Sequence, residues 1–213
     1  MRETIPDIGD YRAESGSTRH NGGMDSLGLD RLRRPRPRIP RPGDVLVAAP
    51  SLVDPNFRRA LVYVLQHDGD GSAGVIINRS CDVAVADLDL PSWARSATIR
   101  TGGPVATNSL LAVSELGSVA AGNDALGGPG VQMVDLDEAA ANPPGELALF
   151  VGYAGWSAGQ LVSEIERDDW HVVSGHPADL FSGEPELLWS TVLRRQADPT
   201  RLWSTLPEQP TAN

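Results

Sequence analysis

Apolar residues in this chain fall into short blocks separated by polar, glycine-rich or proline-rich breaks, and from Asp44 onward these blocks follow one another closely. Val45–Ala49 is a continuous apolar run closed by Pro50, the pattern of a buried strand. Asp54-Pro55 marks a turn or a first helical turn, with Asp able to cap and Pro set for the next position. Ala60–Gln66 and Ala73–Asn78 are β-branched or apolar and enclose His67-Asp-Gly-Asp-Gly-Ser72, which predicts a hairpin with a Gly/Asp loop. Val83–Leu90 reads as a short helix capped by Asp82 and stopped by Pro91.

Ile99–Val105 and Leu110–Ser114 read as strands around Gly102-Gly103-Pro104, a tight turn, and a glycine-rich loop over Gly117–Gly130 leads to a strand at Val131–Leu136. Pro143-Pro144-Gly145 breaks the chain before an apolar strand at Leu147–Val151. A helix after Trp156, a strand at His171–Ser174 and a helix near Glu186–Arg195 complete the series. The last helix places Leu188, Val192 and Leu193 on one face and carries Glu at its start and Arg at its end, as the helix dipole favours. Hairpins mixed with a few helices predict an α+β fold rather than a doubly wound parallel sheet.

The first 41 residues break this pattern. They are rich in Gly, Ser, Asp and Arg, lack sustained periodicity and end in an Arg/Pro run over Arg31–Pro42. Such a segment buries too little apolar surface to offset its ordering entropy, so 1–41 reads as a disordered tail, 42–205 as a single domain and 206–213 as a flexible end. No apolar run approaches the roughly 20 residues of a membrane helix, and the N-terminus has no secretory h-region. The expectation is a cytoplasmic protein without membrane contact.

Charge narrows the partners. The formal net charge is −10, and all 18 basic residues are arginine. The first 42 residues carry nine Arg against six acidic residues, so the remainder stands at −13 and repels phosphate backbones. Direct DNA binding is therefore expected only through the Arg31–Arg41 arm. A single cysteine, Cys81, excludes an internal disulfide and a multi-cysteine zinc site.

The densest motif is Gly152-Tyr-Ala-Gly-Trp-Ser-Ala-Gly-Gln-Leu161, a strand–turn–helix junction. Gly155-Trp-Ser-Ala-Gly159 matches the G-x-S-x-G nucleophile elbow, which would make Ser157 a hydrolase nucleophile served by His171 or His176 and by Asp168, Asp169 or Asp179. Those partners crowd within about 20 residues of the serine, whereas triad members come from separate strand ends, and no HGGG-type oxyanion loop precedes them. Helix capping accounts for the same residues: Ser157 as N-cap with Gln160 at N3 forms a capping box, and Trp156 with Leu161 forms a hydrophobic staple. On this reading no residue is catalytic, and the free N–H groups of the helix start suit an anionic ligand.

Two other clusters invite chemistry. Asp68-Gly-Asp-Gly-Ser72 opens like an EF-hand loop, but Ala73 and Arg79 stand at its sixth and twelfth positions, so no metal site is expected. His67 at the hairpin mouth and Asn78-Arg79 at the end of the partner strand read as near neighbours in a polar patch. Gly102-Gly103-Pro104 is too short for a phosphate loop and lacks the Walker lysine. No cofactor is implied.

Taken together, Gly43–Pro50, Asp54–Arg58, Val62–His67, Gly74–Arg79, Gly102–Val105, Gly152–Trp156, Gly159–Leu161, Glu164 and Trp170 resemble the YqgE/AlgH family of bacterial proteins, whose members are labelled transcriptional regulators. The resemblance runs in order from Pro42 to about Arg195. It implies an α+β fold with a bent or branched, largely antiparallel sheet, partly barrel-like and surrounded by helices, and it implies no established reaction. Two positions depart from the family pattern: Ser80 replaces the proline of Asn-Arg-Pro, and Ser157-Ala158 replaces Gly-Pro. A nucleophile that relatives replace with glycine cannot be the family's catalytic centre.

The function expected is therefore non-catalytic binding of a small-molecule or protein partner. The candidate residues are His67, Asn78, Arg79, Gly152, Tyr153, Gly155, Trp156, Ser157 and Gln160. A Ser157 hydrolase is the alternative.

Overall fold

In the computed structural model the chain divides into Met1–Arg36 and Pro37–Asn213. The structure describes residues 38–116, 127–136, 145–197 and 200–206, all in the second unit. The expected tail up to residue 37, most of the 117–130 loop, the Pro143-Pro144 break and the end beyond 206 lie outside them, whereas at the end of that tail Arg38 and the Arg41 N–H donate to Asp44.

Among the described residues eight strands form one sheet: β1 (Asp44–Ala48), β2 (Leu61–His67), β3 (Gly71–Ile76), β4 (Thr98–Thr101), β5 (Val105–Glu115), β6 (Val131–Val134), β7 (Leu147–Ser157) and β8 (Trp170–Ser174). The helices are α1 (Gln160–Glu166), α2 (Ala178–Phe181) and α3 (Pro185–Arg194), with 3-10 turns at Val85–Asp87, Ser92–Ala94 and Thr200–Thr205. The sheet runs β6-β5-β7-β3-β2-β1-β8, with β4 attached to β7 off this path. It is branched, open and antiparallel except for β4 against β7.

β1 from Val45, β2 up to Leu65 and the end of β3 read as apolar runs because both of their faces are covered there. Val45, Val47, Leu61, Tyr63, Val75 and Ile77 pack with Leu180, Phe181, Leu188, Trp189, Val192 and Leu193 from α2 and α3. The alternating residues Leu46, Ala48, Val62, Val64 and Ile76 pack on the other face with Leu161 and Ile165 of α1.

The branch lies at β7. Its first half pairs in parallel with β4, Thr98 to Thr101 against Ala148 to Val151, and its second half pairs with β3, Gly71 to Gly74 against Ser157 to Ala154. Between these halves the Gly102 N–H donates to Val151 O at 2.8 Å and Gly102 O accepts from Ile76 N–H at 2.8 Å, so one residue links β7 to the diverging β3. Side chains do not fit there: a Cβ on Gly102 would lie 2.2 Å from Gly152 O, and one on Gly103 would lie 2.2 Å from the Tyr153 carbonyl carbon. Gly102-Gly103-Pro104 is thus a backbone-to-backbone contact as well as the expected turn, and it ends β4 at Thr101, short of the expected strand to Val105.

Gly152 holds a left-handed φ of 70° opposite the irregular pairing of β5, whose register shifts between Val105 and Leu110. This shifts the alternation of β7 by one residue. Ala148 and Phe150 face the α2/α3 core before it, and Tyr153 packs there after it. Ala154 and Trp156 consequently face α1. The strand expected to stop at Val151 continues to Ser157, because the glycine bends the strand without ending it.

Over Val83–Leu90 the expected helix is absent. Only Val85–Asp87 turns as a helix, Asp82 caps nothing there, and beyond it the Leu90 N–H donates to Leu88 O at 3.0 Å in a three-residue turn. Leu88 and Leu90 both pack against the Ala112 and Leu149 cluster while Asp87 and Asp89 are exposed. A helix would not put residues two apart on one face, and burial of both leucines overrides helix propensity. α2, four residues long, is too short to give a periodicity signal.

Charged groups fasten α2. Arg100, 1% exposed, donates to Leu180 O at 2.6 Å, to Asp179 O at 3.3 Å and to Ser182 O, which places a cation at the helix's carbonyl end. Burial brings its pKa down to about 10 against the opposing pull of Glu186 and Asp179, so it stays charged at neutral pH. Asp179, 3% exposed, takes both terminal nitrogens of Arg195 at 2.9 and 2.6 Å, tying α2 to the end of α3.

Gly152 and Gly159 share nearly the same φ, 70° and 73°, but only Gly152 is crowded, with Gly103 O at 2.5 Å from its Cβ position. Gly159→Ala is expected to cost about 1 kcal/mol from backbone strain alone, and Gly152→Ala at least about 3 kcal/mol from strain plus clash. Urea unfolding of the two variants separates these values.

Candidate functional site

β7 carries the junction motif to the edge of the α1 face. Ser157 is the last strand residue, paired with Gly71, and Ala158-Gly159 makes the turn. The N-cap of α1 is Gly159, left-handed and without a side-chain cap bond, so the expected Ser157 N-cap is displaced by two residues. Half of the capping box survives in another form: Gln160 Oε1 accepts from the Ser157 N–H and from the Ser157 hydroxyl, both at 3.1 Å. Strand pairing holds Ser157 extended, which keeps its hydroxyl away from the α1 N–H groups. Trp156 and Leu161, the expected staple, are both buried in the α1 cluster.

Beneath this turn lies a group that spacing arguments missed. Glu164 Oε2 accepts from the indole N–H of Trp156 at 2.8 Å and from that of Trp170 at 2.9 Å, while Oε1 accepts from Gln160 Nε2 at 3.0 Å. The two indoles meet edge to face with centroids 5.8 Å apart, and Phe57 stacks on Trp156 at 6.1 Å and meets Trp170 edge-on at 5.5 Å. One carboxylate thus joins β7, α1 and β8. Glu164 and Trp170 stand in the family pattern, but nothing in their spacing from Trp156 shows that one carboxylate serves both indoles.

The triad expected of a hydrolase does not assemble among the described residues. The Ser157 hydroxyl donates to Gln160, not to a histidine. His171 lies edge-on to Trp203 with centroids 4.5 Å apart, and burial lowers its pKa. His176 Nδ1 accepts from the Ala178 N–H, Asp179 is engaged by Arg195, and Asp169 accepts from Arg167. Asp168 sits at a left-handed φ of 63°.

The polar patch also divides. His67 pairs with Ser72, which pairs with Trp156, so His67 shares a row of the sheet with the junction. Its Nδ1 lies 2.8 Å from the Ser72 hydroxyl. Asn78 sits at the other end of β2, where Oδ1 accepts from the Leu61 N–H and Nδ2 donates to Arg59 O, each at 2.8 Å. Arg79 donates to Pro55 O and Arg58 O at 3.3 Å, and burial lowers its pKa. His67 and Arg79 are therefore not neighbours: antiparallel pairing puts the far end of β3 beside the start of β2, roughly 20 Å from the hairpin mouth.

Gly155, Ser157 and Gln160 are exposed, Tyr153 is half-buried, and Gly152 and Trp156 are buried. The Asp68 loop folds on itself, with Asp68 Oδ1 accepting from the Asp70 and Gly71 N–H groups. Among the described residues no group of three or more His, Cys, Asp or Glu side chains is placed to hold a metal ion. No helix among them is long and apolar enough to cross a membrane.

A branched α+β sheet with this aromatic–carboxylate junction defines the class. The AlgH-like family model matches residues 45–201, and the chain belongs to that family. It is 42% identical over 183 residues to a UPF0301 protein of Streptomyces avermitilis, covering 80% of this chain and 94% of the relative. A UPF0301 protein of Mycolicibacterium gilvum is 41% identical over 186 residues, with 78% and 87% covered. Among solved structures, a Corynebacterium diphtheriae protein aligns with a TM-score of 0.69 at 30% identity, covering 84% of this chain and 97% of that one. The solution structure of the AlgH protein from Pseudomonas aeruginosa aligns with a TM-score of 0.59 at 27% identity, with 78% and 93% covered.

Removing the Glu164 carboxylate leaves two indole N–H groups without their acceptor. Glu164→Ala is expected to cost about 3 kcal/mol, and Glu164→Gln, which keeps one acceptor oxygen, about 1 kcal/mol; denaturant titration reads both. His171 titrates lower in the fold than in the unfolded chain, so the unfolded state binds more protons as pH drops. Stability should accordingly decline below about pH 6.5, and His171→Gln should flatten that decline in melting curves taken from pH 7.5 to 5.

Proposed function

We propose that this AlgH-like chain acts by binding, not catalysis, and that its contact surface is the rim formed by Gly155, Ser157 and Gln160 together with His67 across β3. The observation that carries this reading is the Ser157 hydroxyl: it shares one acceptor with its own backbone N–H, and no histidine among the described residues serves it. A nucleophile needs a base within hydrogen-bond reach. The rim stands over a base of buried Trp156 and Trp170 fixed by Glu164, the arrangement of an exposed polar contact surface on a rigid support. Its polar, uncharged donors and acceptors suit a small polar ligand or a segment of a protein partner.

The regulator label of the family enters in a limited form. The acidic body favours regulation through such a partner, in the cytoplasm, over grip on DNA by the folded domain. Any direct DNA contact is assigned to the Arg31–Arg41 arm.

A benzoylphenylalanine crosslinker placed at position 157 in cells should capture a partner that the same residue at exposed position 83 does not. A fluorophosphonate probe should leave Ser157 unlabelled. Labelling that disappears in Ser157→Ala would replace the binding reading with the hydrolase. A gel shift that survives replacement of the arm's arginines by alanine would move DNA contact onto the folded body.

A further inference from the structure

At the opposite end of β7, about 30 Å from Ser157 along the strand, a cleft of about 340 Å³ opens between the Ser92–Ala94 turn and the approach to Leu147. Trp93, Ser96, Thr98, Glu146, Leu147 and Phe181 line it. Its volume lies within the range of small-molecule sites, roughly 300–1,000 Å³. Three buried side-chain polar atoms among the described residues have no hydrogen-bond partner, and two of them, Trp93 Nε1 and Thr98 Oγ1, belong to residues of this one cleft. Folded proteins leave few such atoms unpaired, so two at one cleft mark a place where partners are missing.

The remaining lining limits what can supply them. An anion is disfavoured by Glu146 on the cleft and by Glu115, whose Oε2 lies 3.3 Å from the Cβ position of adjacent Gly145. A purely apolar molecule would leave the indole N–H and the hydroxyl unpaired. Trp93 and Phe181 supply aromatic surface. We infer that this cleft binds a small, uncharged, planar heteroaromatic molecule carrying an acceptor for Trp93 Nε1 and Thr98 Oγ1 and an amino group for Glu146. Both inner atoms are closed to water, so the ligand reaches them by rotation of the Trp93 indole, around which Ser92, Arg95 and Ser96 are exposed.

Saturation-transfer NMR on the full chain tests this, with adenine, cytosine and nicotinamide as probes and benzoate as the anionic counterpart. At least one of the three amino-bearing probes should bind and benzoate should not. Thr98→Val and Trp93→Phe should each weaken the bound probe about tenfold, the loss of one good hydrogen bond. Thr98→Val should also raise the melting temperature of the ligand-free protein, because it removes an unpaired hydroxyl without changing shape. The inference is overturned if none of the three binds at millimolar concentration, if both variants bind like the parent, or if Thr98→Val melts lower. None of these readouts depends on the Ser157 rim.

Discussion

The contact between Gly102-Gly103 and Gly152-Tyr153 sets the architecture. There two stretches of backbone approach more closely than any side chain would allow, with a Cβ on Gly102 or Gly103 falling 2.2 Å from main-chain atoms of the other stretch. Because they meet, β4 can occupy the interval between β3 and β7, and the sheet branches instead of continuing flat. Because Gly152 is left-handed, the alternation of β7 shifts, and Ala154 and Trp156 turn toward α1. A single steric requirement therefore decides both the shape of the sheet and the face on which the candidate rim is built.

The two faces are held by different physics. On one, α2 and α3 bury aliphatic and aromatic surface, with the Arg100 cation and the Arg195–Asp179 pair aligning them. On the other, seven-residue α1 has little apolar surface to offer and is fixed through Glu164, which accepts from two strands at once. Hydrogen bonds to a charged acceptor are stronger than neutral ones, and that difference suits a helix too short to be held by burial alone.

What was legible in the chain follows from the range of each signal. β1, β2, β3 and β6 announced themselves through local apolar runs, and α3 through its periodic face and terminal charges. The continuation of β7 past Val151 was hidden because Gly152 and Gly155 carry turn signals, and only their distant partners, Gly103 against Gly152 and Ala73 against Gly155, make them strand. The segment from Val83 lost its helix to a cluster made by Ala112 and Leu149, far away in sequence. Within the candidate site, the serine, the glutamine and the tryptophan were all visible in one motif. Glu164 was visible only as a family mark, since its partners are fixed by folding and not by helical spacing, and the assumed closeness of His67 and Arg79 failed because the hairpin register was read from the wrong end.

The paired indoles of Trp156 and Trp170 have an optical consequence. Two identical chromophores 5.8 Å apart, their planes inclined by 84°, lie close enough for their electronic transitions to mix, and a common carboxylate polarises both. Such a pair acts as an internal exciton coupler whose circular dichroism reports the angle between β7 and β8. The protein thus carries, without any label, a gauge of whether the support beneath Ser157 keeps its shape when something lands on it.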